Sequence, residues 1–528
     1  MKEGQLFTLA LGDFVGDASR VAITYEDLHN DVKAGDRILI DDGLIEMKVV
    51  LYDYETRKSL ESSSCPMELI SESDGTREQK TEWYKKGLEV CFSKISSEGK
   101  KSIQAIGVSG QQHGFVPLDS EGNPLYNIKL WNDTSTAKEC DLITNAAGGQ
   151  NEVVKEVQNF ILPGFTAPKI LWLKLHKKEL FEKLHYIMLP HDYLNFLLTG
   201  NYVMEQGDAS GTALFNSKEK KWSKKICEAI DESLLKKLPK IIASDEPSGF
   251  VSKKAADWLG IPKGAAVSSG GGDNMMSAIG TGAVKSGTLT MSMGTSGTLY
   301  GFTDSSVADP AEGISGFCSS SGGYLPLLCT MNCTVASEEI RTLLNLDVKE
   351  FDAEAEKSSP GCEGVFVLPF FNGERTPNLP HGKASITGLT VANCNRANIA
   401  RAALESAIYS MRTGLDSFKK HGFTPKELRL TGGGAKSKVW RQIAADIMNL
   451  PVKVPVSSEA AAFGAALQAL WCLKKLQGTP VSMESLAETH VALDESKTTL
   501  PNEKNALEYS KAFEEYKILV NQLSPLYK

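Results

Sequence analysis

The sequence predicts an α/β protein, because short apolar β-type runs alternate with amphipathic helical stretches through most of its 528 residues. Two further observations shape that reading. A glycine-rich segment, Ser269-Gly-Gly-Gly-Asp273 through Gly294-Thr-Ser-Gly297, separates two α/β halves joined near residues 280–287, and a strand-like, turn-rich stretch precedes the first half.

In chain order, residues 21–25, 37–40 and 44–51 are β-type runs, separated by the turn signals Lys33-Ala-Gly-Asp36 and Asp41-Asp-Gly43. Residues 82–95 repeat apolar side chains at helical spacing, and 103–108 form an apolar strand that ends in Ser109-Gly110. Helices are expected over 169–184, 193–198 and 224–238. In the second half, 288–291, 364–371 and 428–430 read as strands, and 399–420 and 439–448 as helices. The charged tail after Gln477 reads as a helical, packed appendage.

Composition narrows the function classes. Lys plus Arg number 57 against 65 Asp plus Glu, and a net charge of −8 argues against nucleic acid as the main partner, while leaving room for a compact anionic ligand held by backbone groups. Ten cysteines without paired spacing read as reduced thiols, and Cys329 with Cys333 lacks the second pair or histidine that a metal site needs. No stretch reaches the ~18 uncharged apolar residues of a membrane span. With no basic start followed by an apolar core, the expectation is a soluble cytoplasmic chain, with a homodimer as the default assembly.

Four segments could carry chemistry. Leu430-Thr-Gly-Gly-Gly-Ala435 joins a strand to a helix near Ser437; backbone free of side chains there can approach a phosphate, although a tight turn would read the same. Ser268-Ser-Gly-Gly-Gly-Asp-Asn-Met275 sets Asp273 among glycines, which suits a general base or metal contact, or equally a cap on a helix starting at Asn274. Met293-Gly-Thr-Ser-Gly-Thr298 offers hydroxyls and N–H groups to a phosphate, or is a hairpin turn. Ser109-Gly-Gln-Gln-His-Gly114 and Leu130-Trp-Asn-Asp133 place amides, a histidine and a carboxylate at strand ends, as reading a polyhydroxylated substrate requires. In Phe371-Asn-Gly-Glu-Arg-Thr-Pro377, Glu374 and Arg375 are a candidate ion pair shaping a cleft.

Together these segments resemble the FGGY carbohydrate kinases. The resemblance rests on Gly164-Phe-Thr-Ala-Pro-Lys-Ile-Leu-Trp-Leu173, Ala384-Ser-Ile-Thr-Gly-Leu389 and Asn398-Ile-Ala-Arg-Ala-Ala-Leu-Glu405, with the Ser109, Asn372 and Gly432 runs in the family's order, over about residues 48–528. It implies two actin-like (ribonuclease-H-like) domains around a central cleft and ATP-dependent phosphorylation of a ketopentose, D-xylulose at its 5-hydroxyl, with magnesium beside the nucleotide. The implied organisation is a strand-rich segment over 1–47, a sugar-binding domain over 48–284, a nucleotide-binding domain over 285–473 and a helical appendage over 474–528. Asp273 falls on the family's catalytic aspartate. Gln112, His113, Asp273 and Asn274 would line the sugar; Gly294, Thr295, Gly433, Gly434 and Ala435 would line the nucleotide.

The beginning departs from the family. Residues 4–47 resemble part of the lid domain of pyruvate kinase, in Val21-Ala-Ile-Thr-Tyr-Glu-Asp-Leu28 and Asp31-Val-Lys-Ala-Gly-Asp-Arg-Ile-Leu-Ile-Asp-Asp-Gly-Leu-Ile45, without that enzyme's barrel or active site. The splice keeps the kinase pattern's Asp-x-Gly at Asp41 to Gly43 and its lysine at Lys48, so Asp41 (phosphate and metal) and Lys48 (phosphate) are candidates. Leu44 and Ile45 occupy the family's Thr and Ser places, and Glu46 adds a charge that repels phosphate. A chimera that binds sugar without efficient transfer, or a kinase for another polyol or ketose, are the alternatives.

Overall fold

The computed structural model describes residues 8–11, 20–23 and 45–527 of the chain. It divides into two compact units, Met1–Glu46 and Met47–Lys528. In the first, strands Thr8–Leu11 and Arg20–Ile23 pair in parallel, with Thr8 opposite Arg20. The expected strand over 37–40 and the turn containing Asp41 lie outside the described residues.

Strand Ile45–Asp53, which belongs to the larger unit from Met47 onward, pairs with Lys58–Met67. Asp53 closes the turn between them by accepting from the Glu55 and Thr56 amides (2.9 and 3.3 Å) and from Thr56 Oγ1 (2.6 Å). Tyr52 lays its ring edge-on to Phe463, 5.1 Å between centroids.

The second half is built on a six-stranded mixed sheet. Its order is Ile314–Cys318, Tyr324–Thr330, Gly297–Gly301, Thr288–Met293, Glu427–Thr431 and Val452–Lys453. Contacts up to Thr288–Met293 are antiparallel and the last two parallel. Thr288–Met293 is buried on both faces, which accounts for its nearly unbroken run of apolar and threonine side chains. The 25-residue helix Arg396–Lys420 crosses the sheet's core; Asn395 caps it by accepting from the Asn398 amide (2.9 Å).

In the first half, shorter strands carry the site. Ala266–Ser268 pairs in parallel with Ala105–Ile106, and beyond a break Gly271–Gly272 pairs in parallel with Ser109–Gly110. The two halves meet where helix Asp273–Thr281 crosses helix Ala460–Leu476. The crossing needs glycine: a methyl group on Gly280 would overlap the Ala460 carbonyl, and one on Gly464 the Met276 carbonyl.

Several sequence expectations change at their ends. The helix expected over 169–184 is two, Thr166–His176 and Lys178–Lys183, divided at Lys177, whose φ of −138° leaves the helical region. The helix over 224–238 stops at Ile230, because Asp231 accepts from the Ser233 amide and hydroxyl (2.9 and 2.6 Å) and forms a turn of its own. The strand over 364–371 shrinks to Phe366–Leu368, with Gly364 at φ +82° before it and Pro369 after it. Among the described residues, no helix is long and apolar enough to cross a membrane.

Candidate active site

The parallel pairing of Ser109–Gly110 with Gly271–Gly272 puts the segments after them side by side. Asn274 Nδ2 donates to Gln112 Oε1 at 2.7 Å, and Gln112 Nε2 lies 3.0 Å from Met275 Sδ. His113 adopts φ +63°. Its carbonyl accepts from Lys169 Nζ (2.8 Å) and Thr166 Oγ1 (3.1 Å), two residues of the Gly164-to-Leu173 run. Its Nδ1 is 2.6 Å from the Gly211 carbonyl. A carbonyl only accepts, so Nδ1 carries the proton and Nε2 remains an acceptor. Burial, with the Lys169 and Arg375 charges nearby, pushes the imidazole down to about 3, so it is neutral at physiological pH and suited to accepting from a sugar hydroxyl.

Asp273 opens helix Asp273–Thr281. It is not the cap that the spacing allowed: Gly272 occupies that position, and Asp273 Oδ1 accepts from the adjacent Asn274 amide (2.9 Å). Its carboxyl group is only partly exposed. Loss of water, reinforced by the negative charge of Asp208, raises it to about 7. A carboxylate with that proton affinity is a base matched to neutral pH.

The second cluster sits at one end of the six-stranded sheet. Because Thr288–Met293 and Glu427–Thr431 run parallel, with Ser292 opposite Thr431, the turn at Gly294, Thr295 and Ser296 and the run Gly432 to Ala435 leave the same edge together. The first turn is pinned where the Gly294 and Thr295 carbonyls accept from the Thr334 and Cys333 amides (2.9 and 3.0 Å). Thr295 itself is exposed. Gly432, at φ +84°, passes so near Met293 that a methyl group would come within 2.6 Å of its carbonyl oxygen. Gly433 faces open space, whereas Gly434 and Ala435 are buried beneath it. Ser437 then caps helix Lys438–Met448 by accepting from the Trp440 amide (3.1 Å). Side-chain-free backbone next to a hydroxyl-bearing turn is a surface that a nucleotide's phosphates can approach.

The two clusters are linked: Thr298 Oγ1, on the strand after the first turn, is 3.5 Å from Asn274 Oδ1. Lys48 takes a different partner. Its ammonium is 2.6 Å from Glu459 Oε1, at the start of helix Ala460–Leu476. Asp41 lies outside the described residues.

Two residues expected to shape the site do other work. Asp133 is fully buried and accepts from the Arg77 amide (2.9 Å), Lys129 Nζ (3.0 Å) and Ser135 Oγ (2.6 Å), so it holds the fold rather than a sugar. Glu374 is buried and accepts from the Met331 and Arg375 backbone amides (2.6 and 2.7 Å) and from Asn332 Nδ2 (3.0 Å), so its bonds are to the backbone and an amide side chain. Sequence reasoning assigned no role to Lys169, His191 or Asp208. Lys169 stands within the run Gly164 to Leu173, and Asp208 in the small-residue run Gly207-Asp-Ala-Ser-Gly211, a local sign of a close-packed turn.

Residues 37–280 match the N-terminal domain of the FGGY family of carbohydrate kinases, and residues 277–473 its C-terminal domain. The chain is 40% identical over 493 residues to the xylulose kinase of Haemophilus influenzae, covering 92% of this chain and 99% of that protein. Among solved structures, a xyloylose kinase from Brucella ovis superposes with a TM-score of 0.84 at 26% identity, over 91% of this chain and 97% of that one. The xylulose kinase of Bifidobacterium adolescentis gives 0.77 at 28%, over 88% and 97%.

Proposed function

The chain belongs to the FGGY family of carbohydrate kinases, and from that premise we propose that it transfers the γ-phosphoryl group of ATP to the 5-hydroxyl of D-xylulose. It is a sugar kinase whose fold is a pair of actin-like domains around a cleft. In the proposed division, residues 48–284 hold the sugar, 285–473 hold the nucleotide, and 474–528 are an appendage. Its likeness to xylulose kinases supports the acceptor. A cytoplasmic homodimer is the expected setting.

One observation carries the mechanism: Asp273, at the start of its helix and bonded to the Asn274 amide, adjoins the hydrogen-bonded pair Gln112 and Asn274, and burial raises its carboxyl to about 7. In the proposed reaction, Gln112, Asn274 and the free Nε2 of His113 orient the sugar. Asp273 accepts the 5-hydroxyl proton as that oxygen bonds to the γ-phosphorus and the bond to the bridging oxygen breaks, releasing ADP. Gly294, Thr295, Gly433, Gly434 and Ala435 are the proposed nucleotide contacts, with Asp41 toward the phosphates; Lys48 would have to leave Glu459 to join them. Among the described residues no three His, Cys, Asp or Glu side chains group as a metal cage. Magnesium is usually carried on substrate phosphates with one or two carboxylates, Asp41 being the candidate here. When bound, the ion neutralises phosphate charge.

An ADP-release assay across D-xylulose, ribulose, glycerol and gluconate tests the reading. D-xylulose should give the highest kcat/KM, and Asp273→Asn should lower kcat by about 10²–10⁴-fold, the usual contribution of a general base. Turnover that survives the substitution overturns the assigned base. The Lys48–Glu459 pair favours a second reading, in which the altered first phosphate loop leaves a chain that binds sugar but transfers slowly. Calorimetric sugar binding without ATP binding or ADP release would select it.

A further inference from the structure

A buried ion cluster lies directly behind Asp273. His191, at the second position of helix Pro190–Thr199, is completely buried. Its Nδ1 is hydrogen-bonded to Asp208 Oδ2 at 2.7 Å, while its Nε2 lies 2.9 Å from Asp192 Oδ1 in a charge contact without hydrogen-bond geometry. Burial alone would deprotonate this imidazole, but the neighbouring Asp192 and Asp208 outweigh it and hold it well above its ordinary range.

Asp208 is also fully buried, and its two oxygens differ. Oδ2 accepts from His191, whereas Oδ1 has no hydrogen-bond partner. That free oxygen faces the backbone one residue before Asp273: a methyl group built on Gly272 would come within 2.9 Å of it. Gly270 in the same loop lies on the His191 ring, where a methyl group would come within 2.8 Å of Cδ2. The loop before Asp273 thus passes close over the His191–Asp208 pair, with Gln112 Cγ also within 2.5 Å of a methyl group on Gly272.

Asp208 is faced by His191 and Asp192, and burial raises its carboxyl above the ordinary range; Asp273 is faced by Asp208 and by the buried Tyr300 hydroxyl. Glu205 closes the far side, accepting from the Asp208 amide (2.7 Å) and Ser320 Oγ (2.7 Å), and burial raises its carboxyl to about 7. An unsatisfied buried carboxylate oxygen is costly to keep and calls for a reason.

We propose that Asp208, fixed by His191, is a positioning residue that makes Asp273 a stronger base by holding a negative charge behind it. The pair touches neither sugar nor phosphate. Loss of the proposed sugar proton to Asp273 is favoured because the Asp208 anion opposes a second anion at Asp273, and the His191 imidazolium limits that opposition. This inference rests on Asp273 being the base of the proposed reaction.

The test is the pH dependence of D-xylulose phosphorylation. Asp208→Asn should move the acid limb of kcat/KM to lower pH by at least about 0.5 unit and lower the plateau kcat about tenfold, as a weaker base would. KM for D-xylulose should change less than twofold. His191→Gln removes the positive charge and should move the limb the other way. A limb that stays in place in folded Asp208→Asn overturns the proposal. If that variant does not fold, His191→Gln decides alone, and an unmoved or downward limb overturns it. Failure of the parent reading is distinct: the unsubstituted enzyme would not phosphorylate D-xylulose, or Asp273→Asn would retain turnover.

Discussion

Keeping a proton on Asp273 up to about pH 7 opposes folding once the unfolded chain has released it. Between the ordinary carboxylate value of 3.8 and about 7 the folded state binds more protons than the unfolded one, so stability falls as pH rises through that window. The sign is opposite to that of a salt-bridged aspartate. Asp273→Asn should therefore raise the melting temperature at pH 8, with the gain shrinking as pH falls toward 4; calorimetric scans of both proteins across that range measure it. An equal gain at every pH would mean the carboxyl group titrates normally. The same residue would be lost to catalysis, the usual exchange of stability for function at a strained site.

Between elements, a glutamine does what a strand would. Gln468, buried on helix Ala460–Leu476, accepts from the Gly270 amide (2.9 Å) and donates to the Gly270 carbonyl (3.0 Å), pairing with that peptide as a neighbouring strand does. It also accepts from Ser268 Oγ (2.9 Å) and donates to the Ser320 carbonyl (3.2 Å). The helix that crosses Asp273–Thr281 at Gly464 thus also fixes the loop before Asp273. Gln468→Leu keeps the bulk but leaves buried peptide groups unpaired, at a cost of about 1–3 kcal/mol each. The expected result is a lower melting temperature and a fall in kcat larger than the change in KM; unchanged kcat would show that the loop holds its shape without the clamp.

Across the whole molecule, the last helix, Glu503–Leu523, is tied into the core of the second half. Arg401 donates from Nε to Glu405 Oε1 (2.8 Å) and through its guanidinium to Tyr509 Oη (2.6 Å), while Tyr509 donates to Glu405 Oε1 (2.7 Å). Tyr509→Phe leaves a buried Arg and Glu each short of a partner and should cost about 1–3 kcal/mol, read as a shift in denaturation midpoint. A shift no larger than an exposed substitution gives would place this helix outside the cooperative core. Such a link joins residues a hundred positions apart, and no local pattern announces it. The α/β alternation, the three glycine-rich segments and the aspartate set among them were legible in the residue order, because apolar spacing and side-chain-free backbone are local requirements written into neighbouring residues. Sequence reasoning misread Asp133 and Glu374, since a polar residue at a strand end reads the same whether it faces a cleft or a buried lysine or amide. It passed over His191 and Asp208 for the same reason. Only the tertiary structure decided that these two lie beneath Gly270 and Gly272, because the proton affinity of Asp273 depends on charge and water within a few ångströms in space, which chain order does not record.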